Sequence, residues 1–303
     1  MVIWHLIRRT WRKWRDDQAT RQGAALAFYA LFAAAPTLLV ASILANTLFG
    51  EDEGGRWLHQ QLSLLATPEV ASTVEGFVAG GAHPNAGVKT TLLGLLATTY
   101  AGARGFLHLQ TTLNNLWGVR QVRGPGLAAI VFKKGWAFAS ILSCGSLLLA
   151  SLLGSLFLQL TAHQLAEGLP EGLAWVGRVN ELGTFFLSAV LLAVVFRTLP
   201  DVKIGWREVA FGALFTAALF AIGKHAIAWY LQHAVHSQGF GSAGSVVAVL
   251  LYVYYSAQVL LIGAEFTWVF AETSGTPIVP NARAARVIRT TVPPDAPQSA
   301  REQ

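Results

Sequence analysis

The sequence predicts an all-α membrane protein with six transmembrane helices and additional amphipathic helices at the membrane interface. Of its 303 residues, 53% are hydrophobic and 13% are charged, and the mean hydropathy is +0.48. Soluble domains have about a quarter charged residues, so this composition indicates a polytopic membrane protein. Six apolar runs each reach the ~17–25 residues that a spanning helix needs. They cover residues 25–49, 88–106, 127–160, 179–199, 207–232 and 243–271.

Residues 1–22 form a basic arm that is rich in tryptophan and too short to be a span. Its aromatic side chains recur on one helical face, and basic side chains fill the other faces. This pattern is typical of an amphipathic helix on an anionic membrane surface, with tryptophans at the level of the headgroups. A nucleic-acid site is the alternative, but the tryptophans favour lipid. The side chains expected to contact the membrane are Trp4, Trp11, Trp14, Arg8 and Arg12.

Residues 23–274 are predicted to form the transmembrane domain, which includes two further amphipathic segments. The loop 50–87 contains two short helical patterns that either cap the bundle or form a lid or partner surface. The segment 104–119 has apolar side chains on one face and amides on the other, which predicts a helix along the inner membrane interface. Residues 275–303 are rich in Pro, Ala and Arg and predict a disordered cytoplasmic tail.

The orientation of the spans follows from the distribution of Lys and Arg. The arm, the tail and the connections after the second and fourth runs together hold eighteen of these residues, whereas the alternate connections hold three. Because cytoplasmic segments of membrane proteins are enriched in Lys and Arg, both termini are predicted to be cytoplasmic. An even number of spans agrees with this orientation.

The last run contains an acidic residue, Glu265, on a polar stripe that also includes Tyr254, Gln258 and Glu272. A carboxylate in the membrane is costly and should face protein or a water-filled cavity, so Glu265 is either a substrate or proton site or a structural group bonded inside the bundle. Arg104 is expected to meet either a lipid phosphate or a carboxylate such as Glu265, because Arg104 and Glu265 should both lie near the inner ends of their spans.

Lys224 is the second charge expected inside the membrane, in the run that precedes the last one. By helical rise it lies at a different depth from Glu265, so the two are not expected to pair directly. It is either a contact for an anionic headgroup or a side chain that extends outward to the interface.

We find no catalytic constellation in the sequence. Known hydrolase, metalloprotease, phosphate-loop and dithiol motifs are absent, and the single cysteine, Cys144, lies in an apolar run. His233 and His236 are three residues apart, but two histidines without a third ligand are a weak metal site. We therefore expect no enzymatic activity, no metal and no cofactor.

Four segments resemble the YihY/BrkB family of bacterial inner-membrane proteins. They are RQGAALAFYALFAAAP at 21–36, AGARGFLHLQTTLNNLWGV at 101–119, the segment 198–231 that begins TLPDVKIGW, and the segment 244–271 that includes IGAEFTWVFA. The resemblance implies a six-helix bundle in the inner membrane and a role in the envelope or in lipid export. Members have also been labelled ribonuclease BN, and the residues of this chain offer no hydrolytic site for that activity. The resemblance supplies no catalytic residues.

The function that we expect is a transporter or translocation component for a lipid or amphiphilic envelope substrate. Its partners are then membrane lipids, with an envelope protein partner and a homo-oligomer left open, and no nucleic acid. The alternative is a non-transporting membrane scaffold that docks an envelope partner. The candidate site residues are Glu265, Lys224, Gln258, Tyr254 and Arg104.

Overall fold

The structure is a computed structural model that describes residues 2–32, 50, 55–56, 100, 104–121, 172–234, 243–281 and 284–286. The described residues are mostly helical. The helices are α1 (Val2–Asp16), α2 (19–32), α3 (104–116), α4 (Gly172–Thr198), α5 (Trp206–Ala234) and α6 (Ala243–Thr273). Four short strands are β1 (Val119–Gln121), β2 (Val202–Lys203), β3 (Val279–Pro280) and β4 (Ala284–Arg286). The mostly helical structure agrees with the predicted class, and these strands of two or three residues were not predicted.

Three helices are long and apolar enough to cross a membrane, over Glu181–Thr198, Trp206–Ile227 and Val247–Thr273. They confirm the last three predicted spans as helices of spanning length. The first three predicted spans lie largely outside the described residues, and only their parts at 25–32, 100 and 104–106 are seen to be helical. The predicted loop helices at 50–87 also fall outside the described residues, apart from Gly50, Gly55 and Arg56.

Helices α5 and α6 form a hairpin in which glycines of one helix face threonines of the other. A Cβ added at Gly212 would lie 1.8 Å from Thr267 Oγ1, and one added at Gly263 would lie 1.8 Å from Thr216 Oγ1. Each threonine hydroxyl donates to a carbonyl of its own helix, so no polar group is left unpaired at the contact. Small residues let two membrane helices approach closely, which fixes the register of the hairpin.

The strands lie together at one end of the bundle, where α4 and α6 end and α5 begins. β1 pairs antiparallel with β4, and β2 pairs antiparallel with β3. We call this region, residues 114–121, 199–208 and 272–286, the strand end. The prediction of a disordered tail from residue 275 is wrong for residues 276–281 and 284–286, because Ile278 is buried in the core and both short strands are paired.

Helix α3 packs into the core at the strand end and keeps an exposed side that includes Arg104, Leu107, Thr111 and Asn115. Its predicted position along the inner membrane interface stays a prediction. Its apolar face is buried as expected, with Leu113 and Leu116 inaccessible. Part of its amide face is covered too, since Asn114 Nδ2 donates to Asp201 Oδ2 at 2.8 Å and Asn114 Oδ1 accepts from the Asp201 amide at 2.8 Å. Asn114 thus holds the α4–α5 connection by two hydrogen bonds.

Candidate functional site: a buried ion pair beside a cavity

Glu265 is fully buried on α6 and is paired with Lys13 of the N-terminal helix. Lys13 Nζ donates to Glu265 Oε2 at 2.7 Å and to Asp17 Oδ2 at 2.6 Å, and it also donates to the carbonyl oxygen of Leu116. The ammonium lies 4.5 Å from the centre of the Trp268 ring, within the range of a cation–π contact. A single ammonium therefore contacts two carboxylates, one carbonyl and one aromatic face. We call these four groups and Lys13 the ammonium cage.

A second ion pair docks the same two helices further along. Arg9 donates to Glu272 at 2.8 Å, and Arg286 of β4 contacts the other oxygen of Glu272 at 3.4 Å. Arg9 precedes Lys13 along α1, whereas Glu272, the partner of Arg9, follows Glu265 along α6. The two helices therefore run antiparallel. The pair at Glu272 is half-exposed and should contribute little, because exposed ion pairs are worth about 0–1 kcal/mol.

The polar stripe of α6 contacts the N-terminal segment through Gln258, Glu265 and Glu272. Gln258 Nε2 donates to the carbonyl of Thr20 at 3.1 Å, and a Cβ added at Gly23 would lie 2.3 Å from that nitrogen. Tyr254 is half-buried against the core. The four stripe residues therefore do share one helical face, as predicted, and that face receives α1 and α2.

Arg104 does not pair with Glu265, so that prediction is wrong. Arg104 is exposed at the start of α3, and its Nε donates to the hydroxyl of Tyr100 at 3.1 Å. The actual partner, Lys13, was missed because sequence reasoning placed the whole basic arm on the lipid surface. The spacing of Lys13 and Asp17, four residues apart in a helix, was the available signal that this lysine has protein partners.

Lys224 is half-buried in α5, far along the chain from the ammonium cage, and has partners of its own. The carboxylate of Glu181 on α4 is the opposite charge that acts on it. The two predicted membrane charges, Lys224 and Glu265, thus do not form one site, in agreement with their different depths.

Of the arm side chains predicted to contact the membrane, four are exposed and one packs against the core. Trp4 and Trp11 are 72% and 56% exposed, and Arg8 and Arg12 are exposed as well, so all four are available for the predicted membrane contact. Trp14 instead packs against the core and stacks on Trp11 at 4.9 Å between ring centres, which corrects its assignment to the membrane surface.

A cavity of about 590 Å³ opens beside the ammonium cage. This volume is within the range of small-molecule sites, about 300–1,000 Å³. Three members of the cage, Lys13, Asp17 and Trp268, line it, and the Leu116 backbone lies in the same wall. Further lining comes from Asp16, Gln22, Trp117 and Arg286. The cavity therefore offers both signs of charge and the indole ring of Trp268 to a ligand.

The charges of the cage do not balance, since one ammonium faces two carboxylates. Glu265 Oε1 is buried and has no hydrogen-bond partner among the residues that the structure describes. A buried charge is stable only when it is paired and hydrogen-bonded. The excess negative charge of the cage therefore favours binding of a further proton or cation. In the described ranges no group of three or more His, Cys, Asp or Glu side chains could hold a metal ion.

Comparison with known proteins places the chain in a family. The family profile described as "Virulence factor BrkB" matches residues 10–288, which include every residue of the ammonium cage. The chain belongs to the BrkB family. The resemblance expected from the four sequence segments is thereby confirmed.

Relatives of this BrkB-family chain are bacterial membrane proteins. It is 28% identical over 84% of its length to a UPF0761 membrane protein of Methylibium petroleiphilum, and 30% identical over 80% to one of Chromobacterium violaceum. The alignments cover only 59% and 56% of those two relatives, so the chain spans less than two thirds of their length. A UPF0761 membrane protein of Aggregatibacter aphrophilus is 24% identical, with 90% of its length covered. No solved structure matches the chain.

Proposed function

We propose that this protein is a transporter or translocation component of the bacterial inner membrane, and that its substrate is a lipid or another amphiphile of the envelope. In this proposal the protein has both termini in the cytoplasm, so the strand end and its cavity face the cytoplasm. It is not an enzyme, uses no cofactor and does not bind nucleic acid. The observation that supports transport is the cavity of about 590 Å³ that reaches the buried ion pair at Glu265.

The cavity suits an amphiphile because its lining combines charges with apolar surface. A headgroup would meet Lys13, Asp17 and Arg286, while Trp268 offers a flat apolar face next to them. Charged residues at membrane depth are rare and mark substrate or proton pathways, which makes Glu265 the residue to test first.

The exposed side of α1 would hold the cavity at the membrane surface. Trp4 and Trp11 would lie among the headgroups, and Arg8 and Arg12 would meet anionic lipids. The opposite side of the same helix is fixed to α6 by Lys13, so the arm connects the lipid surface to the buried acid.

Transport can be tested with purified protein in vesicles that contain a fluorescent phospholipid. We expect the protein to speed exchange of the lipid between the leaflets and Glu265→Gln to abolish most of that gain. Glu272→Gln is the matched control, since Glu272 lies on the same face of α6 and also forms an ion pair with α1, but it does not contact Lys13. Folded protein that moves neither phospholipids nor other envelope amphiphiles would contradict the proposal, as would full activity of Glu265→Gln.

A scaffold that docks an envelope partner is the second candidate, and the exposed side of α1 favours it. Deletion of residues 1–20 cannot separate the two functions, because it also removes Lys13 and uncovers Glu265. The double variant Trp4→Ser/Trp11→Ser leaves the ion pair in place. Loss of a co-purified partner in this variant, with lipid exchange absent in every variant, would favour the scaffold.

A further inference from the structure

We propose that the ammonium cage is a binding site for a primary ammonium group, and that Lys13 occupies it as an internal substitute for the substrate. This inference rests on the proposed function and names its substrate class: an amphiphile whose headgroup has a primary amine. Nothing else in the described residues contacts an ammonium on so many sides.

The cage matches the chemistry of a primary ammonium. Such a group has three N–H donors, and Lys13 uses them on Glu265, Asp17 and the Leu116 carbonyl. The indole of Trp268 covers a further side at 4.5 Å. Charge-assisted hydrogen bonds to carboxylates are about twice as strong as neutral ones, so the cage selects for charge and for N–H donors together.

Most of the cage does not depend on Lys13. Glu265 and Trp268 are held by α6, and the Leu116 carbonyl is held at the end of α3, where Trp117 Nε1 donates to the Ala264 carbonyl at 3.0 Å. These walls stay in place when the Lys13 side chain leaves. The oxygen Glu265 Oε1, buried and without a partner in the described part of the chain, gives an entering ammonium one more acceptor.

An external amine can reach the cage through the cavity. Lys13 lines the cavity and its side chain is 17% exposed, so its flexible stem can withdraw into that space. The internal lysine competes at a high effective concentration, about millimolar or above for a tethered group. The natural ligand must then be abundant at the surface or gain affinity from additional contacts.

Arg286 supplies one such contact for an anionic group beside the amine. It lines the same cavity, is 54% exposed and has only a long contact of 3.4 Å with Glu272. An amine close to a phosphate is the headgroup of an aminophospholipid, whereas a free polyamine offers the amine alone. Both share the ammonium chemistry, and the experiments below distinguish them.

Chemical rescue tests the cage directly. Lys13→Ala keeps Cβ and removes three carbons and the ammonium, the atoms of n-propylammonium. We expect Lys13→Ala to lower the Tm and n-propylammonium to restore most of the loss in a saturable manner. n-Propanol and tetramethylammonium should have no such effect, because the first has no charge and the second has no N–H donor. Lys203→Ala, at an exposed position of β2, is the control that should not respond. Equal rescue by tetramethylammonium would overturn the proposal.

Retention of lipids, measured by native mass spectrometry after incubation with mixed vesicles, tests the substrate class. We expect Lys13→Ala to retain several-fold more phosphatidylethanolamine than the unmodified protein, and Glu265→Gln to retain less. Phosphatidylcholine and phosphatidylglycerol should not show these opposite changes. If putrescine displaces n-propylammonium from Lys13→Ala and phosphatidylethanolamine does not, the site binds a soluble amine. Equal retention of all three lipids in all proteins would contradict an ammonium site.

If Lys13→Ala does not fold, the unmodified protein and the near-isosteric Glu265→Gln still decide the question. A preference for phosphatidylethanolamine over phosphatidylcholine that disappears in Glu265→Gln supports the cage, and no preference in either protein overturns it. These experiments measure binding, so they can succeed when lipid exchange between leaflets is absent. In that case the transport proposal is contradicted and the ammonium-site proposal is supported. Lipid exchange without a headgroup preference would instead support transport and contradict the ammonium site.

Discussion

At the scale of single residues, the main feature is a carboxylate that is fully buried because a lysine from a distant segment reaches it. Glu265 and Lys13 are 252 residues apart in the chain. Interaction between charges is strong in a medium of low dielectric constant, but the gain only offsets desolvation when geometry and hydrogen bonding are good. Contacts to Asp17 and Leu116 complete the hydrogen bonding of this lysine.

Removal of the cation should destabilise the protein more than neutralisation of the acid. We expect Lys13→Met to lower the free energy of unfolding by about 3–5 kcal/mol, because it leaves buried carboxylates without a cation. Glu265→Gln should lower the free energy of unfolding by less, since Lys13 still pairs with Asp17. The double variant should lose less than the sum of the two single losses, because it has no charge at position 265 left without a cation. Unfolding of the four proteins in detergent gives the coupling energy.

The corresponding cycle at Arg9 and Glu272 serves as the comparison. This pair is half-exposed, so we expect a coupling energy below about 1 kcal/mol. Additive effects of Lys13→Met and Glu265→Gln would show that the two side chains do not interact in the folded protein.

His108 on α3 is a half-buried group that affects stability. Its ring lies 4.8 Å from that of Tyr29, and burial lowers the pKa of His108 below its usual value of 6.5. The unfolded chain therefore binds a proton at higher pH than the folded protein, and stability falls as the pH drops below 6.5. We expect His108→Phe to reduce this loss between pH 7 and 5 in thermal unfolding, while replacement of the exposed His5 leaves it unchanged.

At the scale of elements, the hairpin of α5 and α6 depends on two glycines that no side chain can replace. Gly212→Ala and Gly263→Ala would each place a methyl group 1.8 Å from a threonine hydroxyl. We expect each to destabilise the protein by about 1–3 kcal/mol, the usual cost of overpacking. Thermal unfolding in detergent would measure the effect.

Gly183→Ala provides the matched control for the hairpin. Gly183 also lies in a membrane helix, but a Cβ there would meet no atom of the described residues within 4 Å. This change should be neutral or slightly stabilising, because alanine is the better helix former. Equal losses at positions 183, 212 and 263 would mean that helix propensity, not the close contact, sets the cost.

Helix α1 shows how far a helical pattern determines the position of an element. The pattern of Trp4, Trp11 and Trp14 predicted an amphipathic helix, and the helix is present from Val2 to Asp16. The pattern did not determine which side faces protein. Leu6 and Thr10 are buried between the basic residues, so the docked side is polar at its edges and was not recognisable as an apolar stripe.

At the scale of the whole molecule, the strand end ties together parts of the chain that are far apart in sequence. Strand β4 pairs with β1 across more than 160 residues, and Ile278 is buried in a cluster with Trp117, Val119 and Val202. The ordered tail thus covers the core next to the ammonium cage.

Truncation of the tail tests this role. A chain that ends after residue 275 loses β3, β4 and Ile278, and we expect a lower Tm and faster proteolysis around residues 199–205. A chain that ends after residue 287 keeps both strands and should behave like the full chain. If both truncated chains are as stable as the full one, the strands do not contribute to the fold.

The sequence by itself determined the membrane class, the last three spans, the helical arm and the shared face of Tyr254, Gln258, Glu265 and Glu272. These features follow from composition and from the helical periodicity of side chains, and both depend only on residues that are close in sequence. Only the tertiary structure decided that Lys13 rather than Arg104 meets Glu265, that Asn114 of α3 binds the α4–α5 connection, and that part of the tail is ordered. Each of these depends on contacts between segments more than 80 residues apart. Local periodicity contains no information on such contacts, because any helix with a polar face can meet water, lipid or another helix.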